Sequence, residues 1–114
     1  MAFGEIELKR IDQDVGGLCK KRSPAHIKDK FCLEYRINGH DVLIYERRPR
    51  WDDPGKWIES PDAKLKYVRT SNLWQLFWLR ANGKWLRYGP CPFSKNLRTL
   101  VKEIDADPHG CFFG

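Results

Sequence analysis

The dipeptide Asn82-Gly83 constrains the fold of this chain more than any other feature, because it joins two runs of alternating apolar and polar residues. Asn and Gly both adopt positive φ readily, as the two central positions of a type I′ hairpin turn require. A two-residue turn predicts that Trp78 faces Arg87 across two antiparallel strands. Side chains alternate along a strand, so the pairing predicts two distinct faces. The face predicted to be core carries Phe77, Leu79, Leu86 and Tyr88.

A third strand precedes these two within residues 63–88. The tripeptide Thr70-Ser71-Asn72 suits a three-residue loop with Asn72 in the left-handed conformation, which Asn tolerates better than most residues. That loop sets the lysines of the strand beside the tryptophans and puts Leu65 and Tyr67 in the core. A two-residue Ser71-Asn72 turn remains the alternative, and it reverses these assignments because a slip of one residue exchanges the two faces.

The other predicted face combines indole rings with cationic side chains. Such rings stack on unpaired bases at about 1–3 kcal/mol each, while Lys and Arg neutralise phosphates. The predicted binding site for single-stranded nucleic acid consists of Lys64, Lys66, Trp74, Trp78, Arg80, Trp85 and Arg87, with Arg47, Arg48, Arg50 and Trp51 as an extension. Large aromatic side chains are more often buried, so the competing interpretation is that a helix covers this face. An exposed Trp/Arg patch would also suit a protein partner.

The remainder of the chain predicts two helices and a second hairpin. Residues 4–22 have apolar positions at helical spacing, with Gly16-Gly17 as a weak point. Residues 31–47 predict a hairpin turned at Asn38-Gly39, and residues 48–62 predict a long connection without a regular strand. Residues 95–106 predict a helix capped by Ser94. The fold class is therefore α+β: a five-stranded antiparallel meander sheet with an N-terminal and a C-terminal helix, both on one face, in a single domain of residues 1–114.

Composition fits a soluble cytoplasmic domain. The chain has 114 residues, of which 41% are hydrophobic, and its net charge is +6. Nine Lys and Arg residues and four Asp and Glu residues lie between positions 20 and 50, which favours a polyanionic partner, although a solvated basic surface explains the charge equally well. No apolar run is long enough for a membrane helix, and no signal peptide is evident. The four cysteines form no CxxC pair, so we expect free thiols.

Catalytic motifs are missing from the sequence. It contains no GxSxG, HExxH or P-loop pattern. Asp62-Ala63-Lys64 has the D-x-K spacing of some metal-dependent nucleases but lacks the preceding acidic partner. His109 and Cys111 form one close pair, whereas zinc sites need a second. We expect no catalytic residue, metal or cofactor, and a binding module fits the sequence better than an enzyme.

Three segments together resemble a family of small bacterial proteins classed only as a domain of unknown function. They are ERRPRWDDP at residues 46–54, the W-x-L-F-W strand at residues 74–78, and the closing DADPHGCFFG at residues 105–114. The likeness extends over nearly the whole chain and implies a bacterial source and one compact domain. It implies no activity, cofactor or functional residue.

Overall fold

The computed structural model describes residues 3–27 and 30–113, and their arrangement is the predicted α+β fold. In chain order the elements are α1 (Glu5–Ile11), a π-helical turn (Asp12–Gly16), α2 (Gly17–Arg22), a 3₁₀ turn (Ala25–Ile27), β1 (Cys32–Asn38), β2 (Asp41–Pro49), β3 (Trp57–Val68), β4 (Leu73–Leu79), β5 (Trp85–Arg87), β6 (Phe93–Ser94) and α3 (Leu97–Ala106). Strands β1 to β5 form an antiparallel meander in that order, and β6 pairs with β4.

The hydrophobic core lies between one face of the sheet and the helices. Its sheet residues are Leu33, Val42, Ile44, Ala63, Leu65, Trp74, Leu76 and Tyr88, and its helical residues include Ile11, Val15, Leu18, Leu97, Leu100 and Ile104. We call this side the covered face. The opposite side, the open face, contributes no side chain to that core cluster. The prediction that the helices share one face is therefore confirmed.

The prediction of which β4 side chains face the core is wrong. Ala81-Asn82-Gly83 forms a three-residue loop in which only Gly83 has positive φ, at 81°, and Leu79 therefore pairs with Trp85 rather than Leu86. A type I turn followed by a left-handed glycine makes this loop, an alternative use of Asn-Gly.

The loop that precedes β4 is also one residue longer than predicted. Asn72 is left-handed as predicted, with φ of 52°, but four residues separate Val68 from Leu73, which pair. Tyr67 therefore lies opposite Trp74, the arrangement of sides that the two-residue alternative predicted. Both errors concern β4, so β3 and β5 keep their predicted faces and only β4 is turned over.

Burial explains why β4 is turned. The inverted strand places Trp74, Leu76 and Trp78 on the covered face and moves Gln75 out of the core. A buried indole removes 150–250 Å² from water, worth about 4–6 kcal/mol as an upper bound at about 25 cal/mol/Å². An unpaired buried amide at Gln75 would cost a further 1–3 kcal/mol, roughly.

The first hairpin has the predicted faces with a shifted register. Its turn is Gly39-His40 rather than Asn38-Gly39, and Gly39 has φ of 63°, which a type II′ turn needs at its first central position. Tyr35 therefore pairs with Ile44 instead of Val42. A shift of two residues leaves each side chain on its predicted face.

The prediction of an irregular connection over residues 48–62 is wrong. Strand β2 continues to Pro49, β3 begins at Trp57, and the two form a ribbon closed by a hydrogen bond from Arg50 N to Lys56 O at 2.8 Å. A turn at residues 53–56, closed by a hydrogen bond from Lys56 N to Asp53 O at 2.9 Å, lies at its tip. Pro61 is accommodated beside a β-bulge at Asp62, a position where a ladder can lack a donor.

The N-terminal helical segment is interrupted where glycines were predicted to weaken it. The π-helical turn ends at Gly16, which is buried against β1: a Cβ there would lie 2.9 Å from Asp12 Oδ1 and 3.5 Å from Tyr35 Cε1. The Tyr35 hydroxyl donates a hydrogen bond to the same Asp12 oxygen at 2.9 Å. Close approach of helix and sheet is thus the reason for a glycine here.

The C-terminal helix and tail form one packed unit. The helix is capped by Asn96, whose side chain accepts from Arg98 N, so the prediction of Ser94 as the cap is wrong. It ends at Asp107, as predicted, in the left-handed conformation with φ of 42°. The Asp107 carboxylate accepts hydrogen bonds from the backbone N–H groups of Phe112 and Phe113 at 3.1 and 2.9 Å. These bonds hold the tail against the domain, where Phe112 is buried in the core, and Gly114 lies outside the described residues.

Candidate nucleic-acid interface

A row of alternating cationic and aromatic side chains crosses the open face. Lys64 on β3 pairs with Phe77 on β4, and Phe77 pairs with Arg87 on β5. Paired residues of antiparallel strands project to the same side, and adjacent strands lie about 4.8 Å apart. One aromatic ring therefore lies between two cations, on a side of the sheet that contributes nothing to the core cluster.

Two further aromatic rings flank this row. Trp85 pairs with Leu79, and Phe93 of β6 pairs with Gln75, so each lies diagonally from Phe77, at about 7–8 Å. Phe93 is 54% exposed, whereas Phe77 and Trp85 are half-buried. We call the resulting group the basic aromatic patch: Lys64, Lys66, Phe77, Trp85, Arg87 and Phe93.

The cations of the patch are not engaged in ion pairs within the described residues, although Lys66 lies opposite the acidic Asp41 of β2. None of the ion pairs formed within residues 3–27 and 30–113 involves Lys64, Lys66 or Arg87. The Lys64 ammonium lies 5.0 Å from the centre of the Phe77 ring and 5.2 Å from that of Trp85. Both rings thus face the same space, and a cation already occupies it.

Three predicted site residues lie away from the patch. Trp74 is 6% exposed and stacks on Phe3 with a centroid distance of 5.6 Å, so its assignment to an exposed face is wrong. Trp78 is also on the covered face, paired with Leu86 and packed against the core. Arg80 follows the last residue of β4 and is exposed in the loop before β5. Lys64, Lys66, Trp85 and Arg87 do share one face, as predicted.

The predicted extension lies on the β2–β3 ribbon. Arg48 pairs with Glu46, and Arg50 forms a two-pronged ion pair with Asp52 at 2.7 and 2.9 Å. Trp51, at the tip, is 94% exposed. The ribbon therefore presents an exposed indole, but these two arginines are each paired with an acidic residue two positions away.

Arg47 of the extension lies on the open face of the same ribbon. Its guanidinium is 3.7 Å from both Glu34 and Glu59 and lies 5.6 Å from the centre of the Trp57 ring. Because two acidic residues lie beside this cation, its charge is less available to a phosphate than the charges of Lys64 and Arg87.

Phe77 and Phe93 are the patch residues that the sequence prediction missed. For Phe77 a signal exists, since the polar Gln75 between two large apolar residues indicates that positions 75, 77 and 79 point away from the core. For Phe93 none exists, because β6 has two residues and no periodicity. Only the pairing of β6 with β4 places that ring on the open face.

A buried carboxyl pair occupies the β-bulge of the ribbon. Asp62 and Glu46 are each 8% exposed, and burial together with the neighbouring Glu46 carboxylate raises the pKa of Asp62 far above its usual range. The nearby Arg48 guanidinium acts in the opposite direction but more weakly. Lys64, the other residue of the D-x-K motif, pairs with Leu43 on the open face, so the motif does not assemble as one group.

Other reactive side chains have little nucleophilic character. All four cysteines are free thiols, and burial raises the pKa of Cys19 to about 12 and also raises those of Cys91 and Cys111. A thiol with a raised pKa holds little thiolate at neutral pH. Over the described part of the chain, no three His, Cys, Asp or Glu side chains are placed to hold a metal ion.

A family model described as a domain of unknown function, DUF3024, matches residues 3–114. The chain belongs to this family. Membership agrees with the resemblance predicted from the sequence, and the match extends over every element of the fold. In the closing segment of this DUF3024 chain, Asp105 pairs with Lys21 and Arg22 at 2.6 and 3.0 Å, and Asp107 holds the tail. These residues thus have structural partners.

No curated protein and no solved structure matches this DUF3024 chain. Among the helices of the described residues, none is both long enough and apolar enough to cross a membrane.

Proposed function

We propose that the basic aromatic patch binds single-stranded nucleic acid. The observation that carries the proposal is the row of Lys64, Phe77 and Arg87, in which an aromatic ring lies between two cations on an uncovered sheet face. Rings of this kind stack on unpaired bases, and flanking cations neutralise the backbone. Antiparallel sheets serve as platforms for such recognition in known RNA-binding domains.

The spacing of the rings suits an extended strand. Trp85, Phe77 and Phe93 follow one another along β4 at about 7–8 Å, and Lys64 and Lys66 lie along the other side of the same strand. Bases would stack along the aromatic side while phosphates meet the lysines. The Lys64 ammonium would leave the ring faces and pair with a phosphate, as a flexible lysine stem allows. A cytoplasmic location, as the sequence predicts, would supply such ligands.

A direct test compares binding of labelled dT12 and U12 by wild type, Trp85→Leu and Trp51→Ala, followed by fluorescence polarisation. Trp85→Leu keeps apolar packing but removes the flat ring, and a stacking loss of about 1–3 kcal/mol corresponds to an affinity roughly 5- to 150-fold weaker. Trp51→Ala removes an equally large ring outside the patch and should leave the affinity unchanged. Equal losses in both variants, or no loss in Trp85→Leu, would exclude the patch as the site.

The exposed tip of the ribbon supports a second candidate, a protein-interaction module. Trp51 is 94% exposed, and tryptophan is enriched among the residues that dominate protein interfaces. A complex anchored by Trp51 would lose affinity on Trp51→Ala and would change little with salt. A nucleic-acid complex weakens steeply as salt increases.

A further inference from the structure

Two cavities flank Arg10 of α1, on the helical side of the molecule. The larger, of about 400 Å³, lies between α1, the β3–β4 hairpin and Lys95. The smaller, of about 210 Å³, lies between α1 and the first turn of α3. Arg10 lines both. We propose that together they form one binding site for a planar anion of nucleoside monophosphate size. The site is independent of the basic aromatic patch, which is on the opposite face.

The larger cavity has a rigid aromatic wall. Tyr67 and Trp74 line it with ring centroids 5.0 Å apart, and Phe3 stacks on Trp74 with an interplanar angle of 20°. The Tyr67 hydroxyl donates a hydrogen bond to Asn72 Oδ1 at 2.9 Å, and Asn72 also lines the cavity. A ring placed here would contact mainly the half-buried Tyr67, because Trp74 is 6% exposed, and the contacts of Tyr67 with Trp74 and Asn72 fix its orientation before binding.

The cations at the two cavities exceed the acids that remain available. Among the ion pairs of the described residues, none involves Arg10 or Lys95, and Arg98 is held only by a 3.5 Å contact with Asp14. The acidic residue that lines the larger cavity is Glu7. Its carboxylate already accepts two hydrogen bonds from Arg69, at 2.9 and 3.2 Å.

The hydrogen bonds from Arg69 are the main reason that the pKa of Glu7 is lowered. That carboxylate is therefore compensated by a guanidinium that does not line the cavity. Arg10 and Lys95 are left to attract an anion.

Size and chemistry together select the class of ligand. A volume of about 400 Å³ is within the range of small-molecule sites, which usually combine an apolar lining with a few polar groups. The aromatic wall suits a planar ring, and a guanidinium suits a phosphate because it donates two parallel hydrogen bonds. A nucleoside monophosphate has both parts, with the phosphate placed at Arg10, which lines both cavities.

In the test, AMP, adenosine and inorganic phosphate are titrated separately into the full chain. Binding is measured by tryptophan fluorescence and by isothermal titration calorimetry. Wild type is compared with Arg10→Gln and with Lys9→Gln, a neighbour on the same helix that lines neither cavity. We expect AMP to bind at least tenfold more tightly than adenosine or phosphate. Arg10→Gln should lower the affinity for AMP at least tenfold, and Lys9→Gln should change that affinity less than twofold.

The wild-type comparison of AMP with adenosine requires no variant, so it decides the matter even if Arg10→Gln perturbs the helix. A Kd for AMP above about 1 mM, equal affinities for AMP and adenosine, or equal losses in the Arg10 and Lys9 variants would each overturn the proposal. Binding of dT12 should be unchanged in Arg10→Gln. If Arg10→Gln lost affinity for dT12 and AMP alike, the two ligands would share one site, and the claim of a second site would be overturned.

Discussion

Replacing Asp62 by Asn should change how the stability of the domain depends on pH. Asp62 and Glu46 share a buried position in the β-bulge, and the folded state raises the pKa of Asp62 because burial and the neighbouring carboxylate disfavour its charge. The folded protein therefore retains a proton that the unfolded chain releases near pH 4. The contribution of this proton to stability is fully present below that pH and is lost as the pH rises through the raised pKa of the folded state.

The size of the effect follows from proton linkage. While the folded state holds one more proton than the unfolded state, the free energy of unfolding falls by about 1.4 kcal/mol for each pH unit. Between pH 5 and pH 7 the expected loss is about 2.7 kcal/mol. Asp62→Asn removes the titration and keeps a neutral side chain of the same size, so the variant should lack this loss.

The assay is urea unfolding of wild type, Asp62→Asn and Asp53→Asn at one-unit intervals from pH 5 to pH 8, followed by tryptophan fluorescence. Asp53 lies exposed in the ribbon loop and serves as the control for a lost aspartate. The advantage of Asp62→Asn over wild type should grow with pH, whereas Asp53→Asn should follow the wild-type curve. An advantage that stays constant with pH, or that shrinks, would refute the assignment of a retained proton to Asp62.

Two further predictions concern backbone positions and are measured by urea unfolding at pH 7. Gly17→Ala should stabilise the domain by about 0.5–1 kcal/mol, because nothing lies within 4 Å of a Cβ at that helical position. Gly16→Ala should be about 1 kcal/mol less favourable than Gly17→Ala, because its Cβ would disrupt the hydrogen bond between Tyr35 and Asp12. Equal effects of the two substitutions would contradict the close approach of helix and sheet. Asp107→Gly keeps the left-handed backbone but loses two charge-assisted hydrogen bonds, from Phe112 N and Phe113 N, and should destabilise the domain by about 2–4 kcal/mol. An unchanged free energy of unfolding would mean that the carboxylate does not hold the tail.

The fold class could be predicted from the sequence because several local signals agree. Helical periodicity, two Asn-Gly turns and alternating strands all indicate helices on one side of a meander. The order and faces of β1, β2, β3 and β5 follow from those signals. The ribbon could not be predicted, because proline usually interrupts a strand, whereas Pro49 ends β2 and Pro61 lies beside a bulge.

The candidate site was half predictable. Lys64, Lys66, Trp85 and Arg87 share the predicted face because β3 and β5 have their predicted orientation. The error at β4 arises because Asn-Gly fits a three-residue loop as well as a two-residue turn, and local turn chemistry does not distinguish them. Burial of Trp74 and partial burial of Trp78 decide the matter, and this burial is a property of the whole fold rather than of the hairpin.

The salt dependence of dT12 binding tests the proposed function most directly. Lys64, Lys66 and Arg87 can each neutralise one phosphate, so log K should fall against log salt concentration with a slope of about −2. In Lys66→Gln/Arg87→Gln the slope should shrink to about −0.7, while Lys20→Gln/Lys102→Gln, which removes two exposed lysines from the helices, should keep the wild-type slope. The same slope in all three proteins would contradict binding at the open face.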